Sequence, residues 1–145
     1  MKLLPFIISL AAILPAAYSD TVTYDTEYDN PDISLTAVAC SNGKNGMLTK
    51  GYQIFGKIPG FPNIGAASAV EGYDSTSCGS CWELTYTKSD KTTKTIYMTA
   101  IDHSGGGFNV AGAALKKLGG QEAVDAGHIE VTSKRVARTY CGFES

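Results

Sequence analysis

Short runs of alternating apolar and polar residues are the dominant pattern along the chain. Residues 82–87 and 94–101 alternate in this way and are rich in β-branched and aromatic side chains, with a turn over Lys88–Lys91 between them. Such runs predict strands, because successive side chains of a strand point to opposite faces of a sheet. The predicted strands span residues 21–25, 34–40, 82–87, 94–101, 128–133 and 135–140.

Two brief helices are predicted between these strands. Asn109 closes a glycine-rich loop that begins at Asp102, and it is a good N-cap for a helix over residues 110–118 that ends at Gly119-Gly120. A further helical turn is predicted over residues 121–126, with Gly127 as its end. Several short strands with two short helices predict a mainly β fold, a closed barrel surrounded by helices.

The first residues have the pattern of an export signal. Lys2 provides a positive start, and the segment Leu3–Leu14 is apolar apart from Ser9 but shorter than the ~20 residues that span a bilayer. Small residues follow at Ala17 and Ser19. We therefore predict a signal peptide over residues 1–19, with cleavage after Ala17 as the alternative, and a single secreted domain over residues 20–145 with no membrane span.

Composition and charge exclude other classes. The 145 residues include 16 glycines, and charged residues make up 18% of the chain, which favours a turn-rich β protein over a helical bundle. Twelve basic and fourteen acidic residues give a net charge of −2. A nucleic-acid-binding protein normally carries a basic excess, so no nucleic-acid partner is expected.

Four cysteines lie in the predicted secreted domain, at positions 40, 78, 81 and 141. An even number in an oxidising compartment predicts two disulfide bonds. If the chain is already extended at Cys78, its Cα atom lies ~10 Å from that of Cys81, beyond the ~7 Å limit for a disulfide. Each is therefore expected to bond to Cys40 or Cys141, and two pairings remain open.

Asp102 is the most informative polar residue. It ends the apolar run of residues 96–101 and opens the glycine-rich loop, where a carboxylate beside exposed backbone is well placed to bind a ligand rich in hydroxyl groups. The alternative is that it caps the loop by accepting backbone N–H bonds. Tyr24 and Asp25 form a second aromatic–carboxylate pair, with an ordinary turn at a strand end as their alternative role.

Other chemistries are not supported. A zinc site needs three or four ligands, which two isolated histidines, His103 and His128, and disulfide-bonded cysteines do not supply. The run Asp102-His103-Ser104 contains the residue types of a catalytic triad, but adjacent side chains diverge. The glycine-rich loop lacks the Gly-Lys-Ser/Thr continuation of a phosphate-binding loop, so we expect no metal or cofactor.

Four segments carry a recognisable combination of motifs: ACSNGKNG at residues 39–46, PGFPNIG at 59–65, DSTSCGSCW at 74–82 and DHSGGGFNV at 102–110. Together they resemble the signatures of one family, the cerato-platanins. Tyr73 departs from the pattern, since the family often has tryptophan before the aspartate of the third segment. The resemblance extends over essentially the whole predicted domain.

The resemblance implies a fold and a site. Cerato-platanins have a six-stranded double-psi β-barrel, shared with expansins, and their disulfides map here to Cys40–Cys78 and Cys81–Cys141. Members bind chitin-type oligosaccharides of N-acetylglucosamine in a shallow groove. Carried over by position, two residues line that groove and three are weaker candidates: Asp102 and Asn109, then Tyr24, Asp25 and Asp74.

The resemblance also implies a function: a secreted, non-catalytic glycan-binding protein of the fungal cell wall that acts as a plant-defence elicitor. Its expected partners are chitin oligosaccharides, with cellulose and plant surface receptors as further ones, and it is expected to be a monomer or to self-associate weakly. One alternative is expansin-like loosening of polysaccharide or weak hydrolysis, with Asp102 as the acid and Asp25 as the motif-linked second carboxylate. Another is a surface-active wall-coat protein that self-assembles.

Overall fold

The computed structural model describes residues 17–144, so most of the predicted signal peptide lies outside the described residues. Six strands form a closed barrel in the order β1-β5-β2-β4-β3-β6. This confirms the six-stranded barrel implied by the family resemblance. The strands are β1 (Tyr18–Tyr24), β2 (Ile64–Ala67), β3 (Cys81–Thr87), β4 (Thr93–His103), β5 (Phe108–Val110) and β6 (His128–Val136), and the α-helix is α1 (Gly112–Ala126).

The predicted hairpin is confirmed in β3 and β4, which pair antiparallel from Cys81↔Thr99 to Thr87↔Thr93. Leu84 and Ile96 face each other across this pair and are buried. Their neighbours Thr85 and Thr95 point to the other face, where their hydroxyl groups are 2.9 Å apart. The alternation in the sequence thus becomes an apolar inner face and a polar outer face.

Barrel closure depends on strand pairs that are distant in sequence. Strand β2 pairs parallel with β4 and antiparallel with β5, and β5 pairs parallel with β1. Parallel neighbours cannot be joined by a tight hairpin, so long connections must run over the barrel surface. The connection between β1 and β2 packs against the barrel through buried Leu35, Met47, Phe55 and Ile58.

The predicted strand over residues 34–40 is wrong. Only an isolated bridge, Ser34↔Ile54, forms here, and a 3₁₀ turn occupies Leu35–Ala37. The Ser34 hydroxyl accepts a hydrogen bond of 3.2 Å from the Thr36 backbone N–H. Such local side-chain bonds compete with a sheet ladder, and they turn the chain at this point.

The end of the chain also differs from prediction. Strand β6 continues through Val136, so the two strands predicted over residues 128–133 and 135–140 are one strand followed by a 3₁₀ turn at Arg138–Cys141. The turn brings Cys141 back to Cys81 at the start of β3. The disulfide therefore fixes the chain end at the position where a further strand was expected.

The two predicted helical segments form one element with a kink. Gly120 has φ of 76° inside α1, which interrupts the helical backbone, and Gly127 ends the helix in the left-handed conformation. Asn109 is not the N-cap, because it lies in β5. The first helical N–H groups instead donate to the Asp29 carboxylate, from Gly112 at 2.8 Å and from Ala113 at 2.9 Å.

Two disulfides fasten the loops to the barrel. Cys40 bonds to Cys78 and Cys81 bonds to Cys141, with Cα–Cα distances of 5.4 and 5.8 Å. This confirms the pairing implied by the family resemblance. No helix in the part of the chain that the structure describes is long and apolar enough to cross a membrane.

We expect each disulfide to contribute strongly to stability. The bonds join residues 38 and 60 positions apart, and loop-closure entropy gives about 4 kcal/mol for each as an upper figure. Urea unfolding of the paired variants Cys40→Ala/Cys78→Ala and Cys81→Ala/Cys141→Ala measures the two losses separately. Thermal scans of the native protein with and without reductant provide the control, and coincident midpoints would contradict the prediction.

Candidate functional site

Strand register places the two leading candidates on either side of one residue of β2. Ala66 pairs with Asp102 of β4 on one side and with Asn109 of β5 on the other. Asn109 in turn pairs with Thr23 of β1. Thr23, Asn109, Ala66 and Asp102 therefore form a row across four strands, which we call the polar row.

Asp102 is half-buried and its carboxylate binds three protein donors. Oδ2 accepts from the Tyr28 hydroxyl at 2.9 Å, and Oδ1 accepts from the backbone N–H of Ala39 at 3.0 Å and of His103 at 2.9 Å. The carboxylate thus connects β4 to two loops that belong to no sheet. The loop-capping role that the sequence left as an alternative is present in the structure.

Tyr28 was not among the predicted site residues. It lies in the 3₁₀ turn Thr26–Asp29, directly after β1, and its side chain is buried against Phe55. Burial raises the pKa of its phenol well above the ordinary range, and the adjacent Asp102 carboxylate raises it further by charge and by the hydrogen bond. Tyr28 is therefore a neutral hydrogen-bond donor at physiological pH.

Asn109 is half-buried and points its amide along the polar row. Its Nδ2 donates to the Thr23 hydroxyl at 2.7 Å, and that hydroxyl donates to the Phe108 carbonyl at 3.3 Å. An amide has two N–H donors and a carbonyl acceptor, so one N–H and the Oδ1 atom are not used by this bond.

Tyr24 and Asp25 lie beside the polar row, at the end of β1. Tyr24 pairs with Val110, the residue after Asn109, and packs against the core. Asp25 is exposed, and its Oδ1 accepts from the Glu27 backbone N–H at 2.9 Å, which begins the turn that carries Tyr28. The turn expected as the alternative role for this pair is thus present.

Asp74 contacts a different loop. Its Oδ1 accepts from the Asn45 N–H at 2.8 Å, and its backbone carbonyl accepts from the Asn45 side chain at 3.0 Å. The neighbouring Tyr73 is exposed and donates from its hydroxyl to Asn42 at 2.7 Å. The contacts of Asp74 are therefore with the loop around residue 45 and not with Asp102 or Asn109.

No group of three or more potential metal ligands occurs within residues 17–144. One ring nitrogen of His103 lies 2.6 Å from the Val70 carbonyl oxygen, so this side chain holds a loop in place. In place of metal ligands, the polar row offers hydrogen-bonding groups: the Asp102 carboxylate, the Asn109 amide and the Thr23 hydroxyl.

Comparison with known proteins assigns the chain to a family. A sequence profile of the family described as Cerato-platanin matches residues 20–143. The chain belongs to the cerato-platanin family. The family and the fold class expected from the four sequence segments are thereby confirmed.

Individual cerato-platanins and relatives are similar over most of their length. The heat-stable 19 kDa antigen of Coccidioides immitis (strain RS) is 44% identical over 130 residues, which cover 90% of this chain and 86% of the antigen. The crystal structure of cerato-platanin 1 from M. perniciosa has 43% identity and a TM-score of 0.81, covering 87% of this chain and 99% of that one. The solution structure of the fungal elicitor cerato-platanin has 36% identity and a TM-score of 0.71, covering 83% and 95%.

The Tyr28–Asp102 bond predicts a loss of stability at alkaline pH. A phenol whose pKa is higher in the folded than in the unfolded chain stabilises the fold below the unfolded pKa of about 10, and this contribution is lost as the pH rises further. Tyr28→Phe is expected to cost about 1–3 kcal/mol at pH 8, because it removes a hydrogen bond to a charged group.

Urea midpoints of the native protein and of Tyr28→Phe, measured from pH 8 to pH 11.5, test this expectation. The native protein should lose stability more steeply than the variant above pH ~10. Tyr140→Phe, which changes an exposed phenol in the same way, is the matched control. Parallel curves for native protein and Tyr28→Phe would contradict the assignment.

Proposed function

We propose that this cerato-platanin is a secreted glycan-binding protein that holds chitin-type oligosaccharides of N-acetylglucosamine along the polar row without cleaving them. The observation that carries the proposal is the register that aligns Thr23, Asn109 and Asp102 across adjoining strands. Each of these three side chains is exposed or half-buried, so a ligand can reach it.

The hydrogen-bonding groups of the row match those of an N-acetylated sugar. An acetamide presents one N–H donor and one carbonyl acceptor, and Asn109 offers the complementary Oδ1 and a remaining N–H. A carboxylate has about four acceptor positions. Three protein donors occupy three of those of Asp102, which leaves one for a sugar hydroxyl.

The length of the row favours an oligosaccharide over a single sugar. Adjacent strands lie about 4.8 Å apart, so the three steps from Thr23 to Asp102 span about 14 Å. This length exceeds one pyranose ring. Tyr24 and Asp25 lie beside the row at the end of β1, where the exposed Asp25 adds polar surface next to it.

The carboxylate environments favour binding over hydrolysis. Glycoside cleavage normally needs one carboxylic acid that donates a proton and a second carboxylate beside the scissile bond. The Asp102 carboxylate is already engaged by three protein donors, an arrangement that suits a structural and ligand-positioning acceptor. Asp25 is used as the cap of a 3₁₀ turn.

The family and the disulfides support a proposed location and biological role. Two disulfides suit an oxidising, extracellular environment, and we propose export by the signal peptide over residues 1–19 to the fungal cell wall. A cerato-platanin of similar structure is described as a fungal elicitor. By this similarity we propose that the protein elicits plant defence, with plant surface receptors as partners.

Titration with N-acetylglucosamine oligomers of graded length, followed by backbone amide chemical shifts, tests the binding proposal. We expect saturable shifts at the polar row, stronger for longer oligomers. Asn109→Ala should weaken binding roughly tenfold, as expected for one or two lost hydrogen bonds. Asp102→Asn should also weaken it, and Glu122→Gln on the exposed face of α1 is the matched acid-to-amide control.

Two results would overturn the proposal. One is the absence of saturable shifts at millimolar oligosaccharide, and the other is an unchanged affinity in folded Asn109→Ala. Release of new reducing ends from the oligomers would show hydrolysis instead. Loss of cohesion in cellulose without released sugar would favour the expansin-like alternative.

A further inference from the structure

A second candidate site lies beside the Cys78 carbonyl, in a cavity of about 450 Å³ lined by residues of the loop after Met47 and of the C-terminal segment. Such a volume is in the range of small-ligand pockets. Its lining combines two cations, two aromatic rings and one acid: Lys50, Arg138, Tyr52, Phe143 and Glu144.

The two cations converge on one backbone carbonyl. Lys50 Nζ donates to the Asn45 carbonyl at 2.8 Å and to the Cys78 carbonyl at 3.0 Å. Arg138 Nη2 donates to the same Cys78 carbonyl at 3.1 Å. Two like charges are thus held side by side by a shared neutral acceptor.

No carboxylate forms an ion pair with Lys50 or Arg138 within residues 17–144, where the ion pair formed is Lys134–Glu83. Burial lowers the pKa of the Lys50 ammonium, and the charge of Arg138 lowers it further. An anion placed between the two cations would relieve this repulsion. One N–H of Lys50 and several of Arg138 remain for such a ligand, and a guanidinium binds a carboxylate through two parallel bonds.

The aromatic rings in the cavity wall favour a ligand that has an apolar face, which a simple inorganic anion lacks. Tyr52 and Phe143 pack edge to face with their centroids 5.7 Å apart, and both are half-buried in the cavity wall. They offer an apolar surface beside the cations, which suits the C–H face of a sugar ring. Glu144 is exposed at the same cavity, where its carboxylate can accept from sugar hydroxyl groups.

We propose that this cavity is a binding site for an acidic saccharide, a uronic acid residue of a polysaccharide, separate from the polar row. The uronate carboxylate binds between Lys50 and Arg138, and the pyranose ring packs against Tyr52 and Phe143. The proposal does not depend on chitin binding, because no residue is shared between the cavity and the polar row.

Titration with a trimer of galacturonic acid at low salt, followed by amide and lysine side-chain chemical shifts, tests the site. We expect saturable shifts at Lys50, Tyr52, Arg138 and Phe143, and a pKa of Lys50 that rises when the trimer binds. The methyl-esterified trimer keeps the rings but removes the charge, and inorganic phosphate keeps a charge but has no ring. Both should bind at least tenfold more weakly.

Three variants separate the contributions of the Arg138 charge, of the planar guanidinium group and of ring packing to trimer binding. Arg138→Gln should weaken trimer binding about tenfold or more, the amount expected for a lost charged hydrogen bond, and Arg138→Lys should recover only part of the loss because a lysine lacks the planar fork. Phe143→Leu tests ring packing without changing charge and should weaken binding several-fold. Asn109→Ala is the control and should leave trimer binding unchanged.

The proposal is overturned if the trimer gives no saturable shifts at the cavity, or if Arg138→Gln binds it as tightly as the native protein while its spectrum shows an intact fold. Equal affinity for the methyl-esterified trimer would exclude recognition of the carboxylate. Equal affinity for phosphate would reduce the cavity to a general anion site. Loss of chitin binding alone would bear on the polar row and not on this cavity.

Discussion

The Asp102 carboxylate joins parts of the molecule that the strand ladder leaves separate. It lies near the end of β4, yet it binds Tyr28 from the turn after β1 and the backbone of Ala39 from the loop that carries Cys40. A half-buried carboxylate is costly unless its oxygens are bonded, and here three donors compensate for burial. The turn that carries Tyr28 and the loop that carries Ala39 are therefore held beside the polar row by their hydrogen bonds to the Asp102 carboxylate.

This arrangement gives Asp102 two roles that compete for the same oxygens. As a structural acceptor it orients Tyr28, and as a candidate ligand-binding group it has limited remaining capacity. Asn109 has fewer bonds within the protein and a complete donor–acceptor pair on one amide. Substitution of Asn109 consequently reports on ligand binding more directly than substitution of Asp102, which also disturbs the loops.

Much of the fold could be predicted from the sequence because it rests on local pattern. The hairpin of β3 and β4 follows from alternation around a short turn, and the family segments gave the disulfide pairing. The polar row could not be assembled in the same way, because it requires the parallel pairs β1–β5 and β2–β4 and a register shift after Gly65. Such pairing between distant segments leaves no local signal.

The errors have identifiable physical causes. Residues 34–40 have strand-like composition, but the Ser34 hydroxyl bonds locally and the segment turns. Asn109 has the residue type of an N-cap, but the helix begins three residues later and takes a carboxylate from Asp29 instead. Tyr28 was missed because its role arises from a contact with a residue 74 positions away.

The cavity at Lys50 and the polar row differ in the ligands they favour although the chain has a net charge of only −2. The row presents a neutral amide, a hydroxyl and a carboxylate, whereas the cavity presents two cations on one carbonyl. If both proposals hold, one small domain presents separate surfaces for the neutral and the acidic sugars of a wall polysaccharide.

The four-residue turn Thr26–Asp29 has a consequence for what length changes the protein tolerates. Its consecutive residues Tyr28 and Asp29 serve different partners, the strand end at Asp102 and the start of α1. A 3₁₀ turn rotates by about 120° per residue, so inserting or deleting a single position would aim both side chains away from their partners together. Grafting loops between relatives should accordingly leave this segment untouched and place junctions elsewhere.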